Sequence, residues 1–428
     1  MSRLRVLWLV NNKLPELSKL KNEKTNISGG WLVESSRILA EHKSIDLSVA
    51  YPCDNHESEN SIDGKSITYY SFKKIKNLKV NNITINRYSS AFINLLDLVK
   101  PDIVHIHGSE LPHTLLMIIA CHERRIKTVM SLQGIVSKIK NHLFLGIPTE
   151  VIYRNTLRNL IRKDSLANLK RLYQKLGCNE IEAIKLSDAI IGRTTWDLAC
   201  VKEIDVSKQY FSNNETLRNS FYNSKWTYND CEKKSIFVSQ AHYSLKGLHI
   251  LLEAMPLIMK QYPNVKVVIG GKNILSNNSL KEKLMQTAYS RYLLKLIKTY
   301  KLEDKLILTG PLTESEMCEQ FLKANVFVMP SLIENSPNSL CEAMILGVPS
   351  VASYVGGIPD FIKHGESGMM YQPDAPYMLA HNICILFSNV DLAVEISSNA
   401  RKRAKVMFDR KLNSDKLIDI YAEVLNRS

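Results

Sequence analysis

Two successive series of short apolar runs, each separated by stretches of helical periodicity, constrain the fold of this chain more than any other feature. The first series reads RVLWLV, IDLSVAYP, DIVHIHG, KTVMSLQG and DAIIGRT; the second reads SIFVSQ, KVVIGG, KLILTG, NVFVMPS and PSVAS. Runs of Val, Ile and Leu that are apolar on both faces suit parallel strands covered by helices on each side. Strands alternating with helices predict an α/β fold with doubly wound sheets. At 428 residues the chain exceeds what one ordinary core accommodates, so two domains are expected. Periodicity weakens through SNNETLRNSFYNSKWTYNDCEKK. The expected organisation is a first domain over residues 1–215, a connection over 216–234, a second domain over 235–405 and an amphipathic helix over 406–428 that packs back toward the first domain. No internal repeat stands out, so the halves read as similar folds rather than copies.

Hydrophobic residues make up 45% of the chain, which suits large cores and not a disordered polymer. No apolar run reaches the length of a bilayer span, and MSRLRVLWLVNN enters a strand without a cleavage site, so a cytosolic protein is expected. The eight cysteines are scattered without a CxxC or a Cys/His cluster, a pattern of reduced thiols that argues against structural zinc. The formal charge is +14, of which about +10 falls in residues 1–210. The densest stretch, YRNTLRNLIRKDSLANLKRLYQKL, interleaves basic residues with Leu and Ile. It reads either as a helix for an anionic membrane surface or acidic partner, or as the solvated face of a core helix. No nucleic-acid-binding motif accompanies the charge, so nucleic acid is not an expected partner.

Several loops at strand ends carry residues suited to chemistry. SLIENSPNSLCEAMILGVPSVA, residues 331–352, follows the strand NVFVMPS and sets Glu334 and Glu342 on either side of an Asn-, Ser- and Pro-rich bend. Ser336 suits an N-cap and Pro337 a first helical position, which would turn Glu342 outward in the second helical turn. Ligands of open α/β sheets collect outside the carboxyl ends of strands, and a helix start there offers free N–H groups to an anion. The bland alternative is an exposed loop acid and an ordinary helix residue. Gly29 and Gly30 begin a helix after the first strand, where missing side chains let amides approach a phosphate; a plain turn is the bland alternative. HIHG places His105 and His107 at a strand end, read as facing alternate sides so that one of them enters a cleft. Lys246 and Gly247 precede a helix, a natural position for a cation that holds phosphate, or for a surface lysine.

The order of these features over nearly the whole chain resembles a family 4 glycosyltransferase, of the "glycosyl transferases group 1" class. The resemblance is strongest from Lys305 to Pro373, where strand, PS, Glu, seven residues, EAM, G-P and G-G follow one another. It implies the GT-B fold, two Rossmann-like doubly wound domains facing a central cleft. It also implies a retaining, metal-independent hexosyltransferase that uses a nucleoside diphosphate sugar and needs no cofactor. The acceptor implied is a glycan or lipid-linked hydroxyl in surface polysaccharide synthesis, reached from the cytoplasmic face of a membrane. On this resemblance Glu342 matches the glutamate that bonds the ribose, and Glu334 the one against the donor sugar. Lys246 matches the lysine that neutralises the diphosphate, Gly29 and Gly30 the loop that covers it, and His107 a histidine near the sugar. Gly310 and Leu312 match the loop that brackets the base.

Three positions depart from the family pattern. Ser239 and Gln240 replace Gly-Arg ahead of Lys246, so Gln240 offers a hydrogen bond without a charge. Asn335-Ser336-Pro337 replaces a glycine-rich turn, which leaves the side chains of Asn335, Asn338 and Ser339 to meet sugar hydroxyls. Gln133 replaces a histidine and cannot act as acid or base. Arg193 and Trp196, just past a strand, read as acceptor-side residues, with packing of Trp196 and a snorkelling Arg193 as the alternative. The chain has no DxD metal motif and no G-x-G-x-x-G, which argues against a dehydrogenase. A nucleotide-sugar 2-epimerase and a non-catalytic nucleotide-sugar-binding partner remain as rival readings.

Overall fold

A computed structural model describes residues 3–23, 30–54, 61–76, 78–276 and 279–427. The chain divides into two compact units: residues 1–139, 172–218 and 408–428 form unit 1, and residues 140–171 and 219–407 form unit 2.

Unit 1 is built on β1 (Leu4–Leu9), β2 (Ile45–Cys53), β3 (Ile62–Asp63), β4 (Thr68–Lys73), β5 (Ile103–His107), β6 (Lys127–Ser131), β7 (Ala189–Gly192) and β8 (Gln209–Ser212). Their spatial order is β3-β4-β2-β1-β5-β6-β7-β8, parallel throughout except for the short edge pair β3–β4. Strand order therefore reverses between β1 and β5. The central strands are buried on both faces, with Leu7 and Leu9 in one core and Val6, Trp8 and Val10 in the other. That alternation is the period of two that a covered parallel strand requires.

The terminal helix Arg410–Asn426 packs on this sheet through Ile420, Tyr421 and Val424. The Tyr421 hydroxyl accepts a hydrogen bond from Trp8 Nε1 at 3.0 Å and lies 2.6 Å from His105 Nδ1, while His105 Nε2 lies 2.7 Å from Ser131 Oγ. The expectation that His105 and His107 face alternate sides is corrected. Residues two apart in a strand share a face, and the two rings lie 4.0 Å apart beside Trp8.

Unit 2 is built on β9 (Glu232–Val238), β10 (Lys266–Gly270), β11 (Leu306–Gly310), β12 (Ala324–Met329), β13 (Ser350–Ser353) and β14 (Met369–Tyr371). The order β11-β10-β9-β12-β13-β14 is parallel throughout and reverses between β9 and β12. Both units thus have the doubly wound topology with a switch point at the centre of the sheet.

Two segments lie elsewhere than periodicity suggests. Residues 140–171, expected in the first domain, pack within unit 2, where Leu143, Ile147 and Ile152 are buried and His249 Nε2 meets the Leu145 carbonyl at 3.0 Å. The stretch expected as a connection is anchored too: Phe221 and Trp226 are buried, and Trp226 Nε1 donates to the Ala324 carbonyl at 2.8 Å. Its polar composition conceals two aromatic anchors, and periodicity cannot say which sheet an apolar segment covers.

Burial holds His105 and His113 down to about 3, and holds His107 well below its ordinary value with help from His105 and Arg193. These folded values lie below the unfolded value of 6.5, so the unfolded chain binds protons more strongly. The stability they preserve is present above 6.5 and lost as pH falls toward 3, by about 1.4 kcal/mol per pH unit for each proton. Urea titrations from neutral pH downward are expected to show this loss, with a shallower slope in His105→Gln; an unchanged slope in the variant would refute it.

Candidate functional site

The site in unit 2 begins with two strands that end side by side. β12 is buried at all six positions and closes at Pro330, while β9 runs out at Val238 into a loop whose last turn is Ser244–Lys246. Gly247 follows in the left-handed region, φ +66°, and a Cβ there would sit 1.7 Å from the Pro330 carbonyl oxygen. Only glycine permits that approach. The contact is reinforced by the Leu332 amide, which donates to the Leu245 carbonyl at 2.8 Å. Lys246, one residue before Gly247, is thereby set against the loop that follows β12.

Lys246 Nζ meets Glu334 Oε1 at 2.6 Å, with the two side chains 17% and 15% exposed. Burial draws the Lys246 pKa down, but Glu334 and Tyr243 outweigh it and the net shift is upward. The ammonium is therefore charged throughout the physiological range. Glu334 is itself held by its backbone: its carbonyl accepts from the Gly357 amide at 3.0 Å, and Gly356, φ +50°, passes so close that a Cβ would lie 2.0 Å from that oxygen. The Ser353 hydroxyl donates to the Ser331 carbonyl at 2.5 Å. Loops after β9, β12 and β13 are thus fastened together at the carboxyl edge of the sheet.

Helix Asn338–Leu346 starts one residue later than the sequence suggests. Pro337, not Ser336, occupies the N-cap position, and its own side chain makes no cap bond. The Leu340 and Cys341 amides donate to the Pro337 carbonyl at 3.0 and 3.2 Å, so the Asn338 and Ser339 amides are the ones with no acceptor inside the helix. The outward position expected for Glu342 is corrected: the residue is buried, at 5% exposure, within an unbroken buried run from Leu340 to Leu346. The helix is covered all round, so its second turn has no outward side. A carboxylate kept among six apolar neighbours in sequence is costly unless polar groups meet it. Asn335 is buried, Asn338 and Ser339 are half-buried, and Gln240 is exposed. Gly310 ends β11 and Leu312 lies just past it, two strands from β9 and so about 10 Å across the sheet. Tyr243, whose ring centroid is 5.6 Å from Lys246 Nζ, is not legible in the sequence because an aromatic in a loop carries no periodic signal.

The residues expected at the site from unit 1 stand differently. Gly29 lies outside the described residues, and Gly30 opens helix Gly30–Glu41. His107 is buried at 5% exposure against Trp8 and His105 and is neutral at physiological pH. Arg193 is ordered by the Thr194–Asp197 capping box of helix Thr195–Ile204, its amide donating to Asp197 Oδ2 at 2.9 Å. Its guanidinium is committed to Glu215, Nη1 to Oε2 2.7 Å, and also donates to the Leu132 carbonyl. Gln133 Nε2 donates to the other Glu215 oxygen at 2.8 Å. The cavity beside them is about 40 Å³, room for water but not for a sugar. Trp196 packs against the core of unit 1. These contacts favour the packing alternative for Trp196 and a structural ion pair for Arg193 over the acceptor-side expectation. Glu215, which organises Arg193 and Gln133, escapes a sequence reading because it sits at what looks like a domain end.

Removing Arg193 leaves a buried carboxylate uncompensated, so Arg193→Ala is expected to lose about 3–5 kcal/mol of stability. An acceptor contact would instead raise the acceptor KM in a protein of unchanged melting temperature, and that result would overturn the structural assignment.

Residues 220–403 match the family described as Glycosyl transferases group 1. Over 197 residues the chain is 29% identical to the putative glycosyltransferase YtcC of Bacillus subtilis, a match covering 45% of this chain and 46% of the relative. Over 170 residues it is 29% identical to the putative colanic acid biosynthesis glycosyltransferase WcaL of Salmonella typhimurium, covering 38% of each. The chain thus spans less than half the length of these curated relatives. Among solved structures it is similar to sucrose-phosphate synthase from Thermosynechococcus elongatus, with TM-score 0.72 and 14% identity over 100% of both chains. It is also similar to Anabaena Alr3699/HepE in complex with UDP-glucose, with TM-score 0.64 and 15% identity over 98% of this chain and 100% of that one. At such identities the likeness is one of fold, and the fold is GT-B. The matched segment contains the whole sheet that carries Lys246, Glu334 and Glu342, and over that segment this chain is similar to the glycosyl transferases group 1 family.

Proposed function

We propose that this protein is a retaining glycosyltransferase that moves a hexose from a nucleoside diphosphate sugar to a hydroxyl of a glycan or lipid-linked acceptor, in surface polysaccharide synthesis on the cytoplasmic side of a membrane. The observation that carries the reading is the meeting of Lys246 with Glu334 at the reversal of strand order between β9 and β12, with Glu342 buried in the helix that follows. Crevices at such reversals are where open α/β sheets take nucleotides. The UDP-glucose bound by HepE supports the donor class, and the colanic acid role in the name of WcaL supports the pathway class.

In the transfer, the bond from the anomeric carbon to the leaving phosphate oxygen breaks and the acceptor oxygen bonds to that carbon on the same face. The acceptor proton passes to the leaving diphosphate. Positive character grows on the sugar and negative charge on the diphosphate, so fixed cations and dipoles at the diphosphate supply most of the stabilisation. Lys246 and the first amides of helix Asn338–Leu346 fill that role. No step is assigned to a metal or cofactor. Glu334 turns from Lys246 to the sugar when the diphosphate takes over the lysine, and Glu342 accepts from the ribose hydroxyls. Gln240 bonds the phosphate, Gly310 and Leu312 bracket the base, and Asn335, Asn338 and Ser339 meet the sugar. His107, neutral at physiological pH, serves as a hydrogen-bonding group rather than a cation.

Thermal-shift screening against UDP-, GDP- and ADP-sugars is expected to show stabilisation by one donor class. Glu342→Ala should weaken that donor by about 10- to 100-fold, the loss of one charge-assisted hydrogen bond. No shift with any donor sinks the reading, and an equal shift in the variant removes the ribose contact. Lys246→Met should lower kcat by about 100-fold or more in acceptor turnover assays; turnover within about threefold of wild type would assign diphosphate stabilisation to other groups.

A further inference from the structure

The short helix Leu157–Arg162 of unit 2 inverts the usual arrangement of an amphipathic helix. Its polar side faces the protein. Thr156 and Asn159 form a capping box, Asn159 is 2% exposed, and its side chain bonds both the Ala288 amide at 3.3 Å and Asp164 at 2.8 Å. Arg158 completes the anchor through Asp164 at 2.9 Å and the Met285 carbonyl at 3.2 Å. Its apolar side faces outward: Leu157, Leu160 and Ile161, three or four residues apart and so on one face, are 50%, 62% and 68% exposed. Tyr153, at the end of the preceding helix Thr149–Tyr153, is 69% exposed. Four large apolar side chains within nine residues of chain, held outward by buried polar anchors, form a patch that a monomer in water has no reason to maintain.

The charge around the patch indicates what covers it. From Thr149 to Lys163 the chain carries cations at Arg154, Arg158, Arg162 and Lys163 against one acid, Glu150. Among the described residues Arg158 is the member of this group that forms an ion pair, with Asp164. Arg154, Arg162 and Lys163 are exposed beside the apolar face. Long cationic side chains around apolar ones suit an interface with one apolar and one anionic layer.

We propose that Tyr153 and helix Leu157–Arg162 form a docking element for an anionic lipid bilayer, in which Leu157, Leu160 and Ile161 enter the headgroup boundary while Arg154, Arg162 and Lys163 meet lipid phosphates. The proposal rests on the reading of a lipid-linked acceptor, for which it supplies the means of approach. It gives the basic stretch singled out in the sequence a specific outward face.

The test is flotation of the full chain with phosphatidylcholine vesicles, with and without phosphatidylglycerol. Wild type should float with the anionic vesicles and detach as salt is raised. Arg162→Ala/Lys163→Ala should lower partitioning about thirtyfold, roughly fivefold for each charge removed. Leu160→Asp/Ile161→Asp should lower it at least about tenfold. Melting temperatures should match wild type, because all four side chains are exposed. Variants that float as well as wild type, or equal binding to neutral vesicles, would overturn the proposal. A change in oligomeric state of Leu160→Asp/Ile161→Asp without lipid would assign the face to a second copy and overturn it too. The vesicles contain neither donor nor acceptor, so a failure of the transferase reading shows separately, as absent donor stabilisation in a protein that still floats.

Discussion

The approach of Gly247 to the Pro330 carbonyl is the contact on which the candidate site depends. A parallel sheet whose strand order reverses leaves the loops of its two central strands diverging to opposite faces, with a crevice between them. In unit 2 those strands are β9 and β12, and the missing side chain at Gly247 lets their loops touch at the rim of that crevice. Once they touch, Lys246 and Glu334, 88 residues apart in sequence, have no long path to cover before they pair. The backbone bonds from Leu332 to Leu245 and from Gly357 to Glu334 then make the position of both charges a property of the sheet rather than of flexible side chains.

Unit 1 shares the topology but uses its central strands differently. At its own reversal, between β1 and β5, Asn11 donates to Glu110 at 3.3 Å and lies 2.8 Å from His113, so polar side chains there bond one another. Farther along, Arg193 is spent on Glu215 and the Leu132 carbonyl, and the paired histidines are neutral. Both cations pair with loop carboxylates, but the Lys246 side chain keeps 17% exposure whereas that of Arg193 keeps 3% and also donates to the Leu132 carbonyl. Burial with full satisfaction makes a structural charge, and burial beside an exchangeable loop partner makes a candidate ligand group.

The strands of both sheets were legible because a run buried on both faces has little alternative in solution. β3, β4, β8 and β14 were not: β3, β8 and β14 are edge strands that need only one neighbour, and β4, beside the two-residue β3, is only partly buried. The helix after Glu334 was legible from Gly347 and from the run LCEAMIL, but its start was displaced by one residue because Ser336 and Pro337 both make reasonable caps. The outward face assigned to Glu342 failed for a physical reason. A carboxylate in a helix is ordinarily its solvent mark, and local sequence cannot reveal that other elements cover every side. Likewise the aromatic anchors Phe221 and Trp226 carried no periodic signal amid polar neighbours.

The sequence by itself determined the two doubly wound units, the loops that bear the chemistry, and the residue types at those loops, because hydrophobic periodicity and glycine placement act over a few residues. Tertiary structure alone decided which charges meet. It joined Lys246 to Glu334, withdrew Arg193 into an ion pair with Glu215, set both histidines on one face, and moved residues 140–171 into unit 2. These outcomes depend on distances between segments far apart in the chain, and such distances are set by sheet order and core packing, which no local pattern encodes.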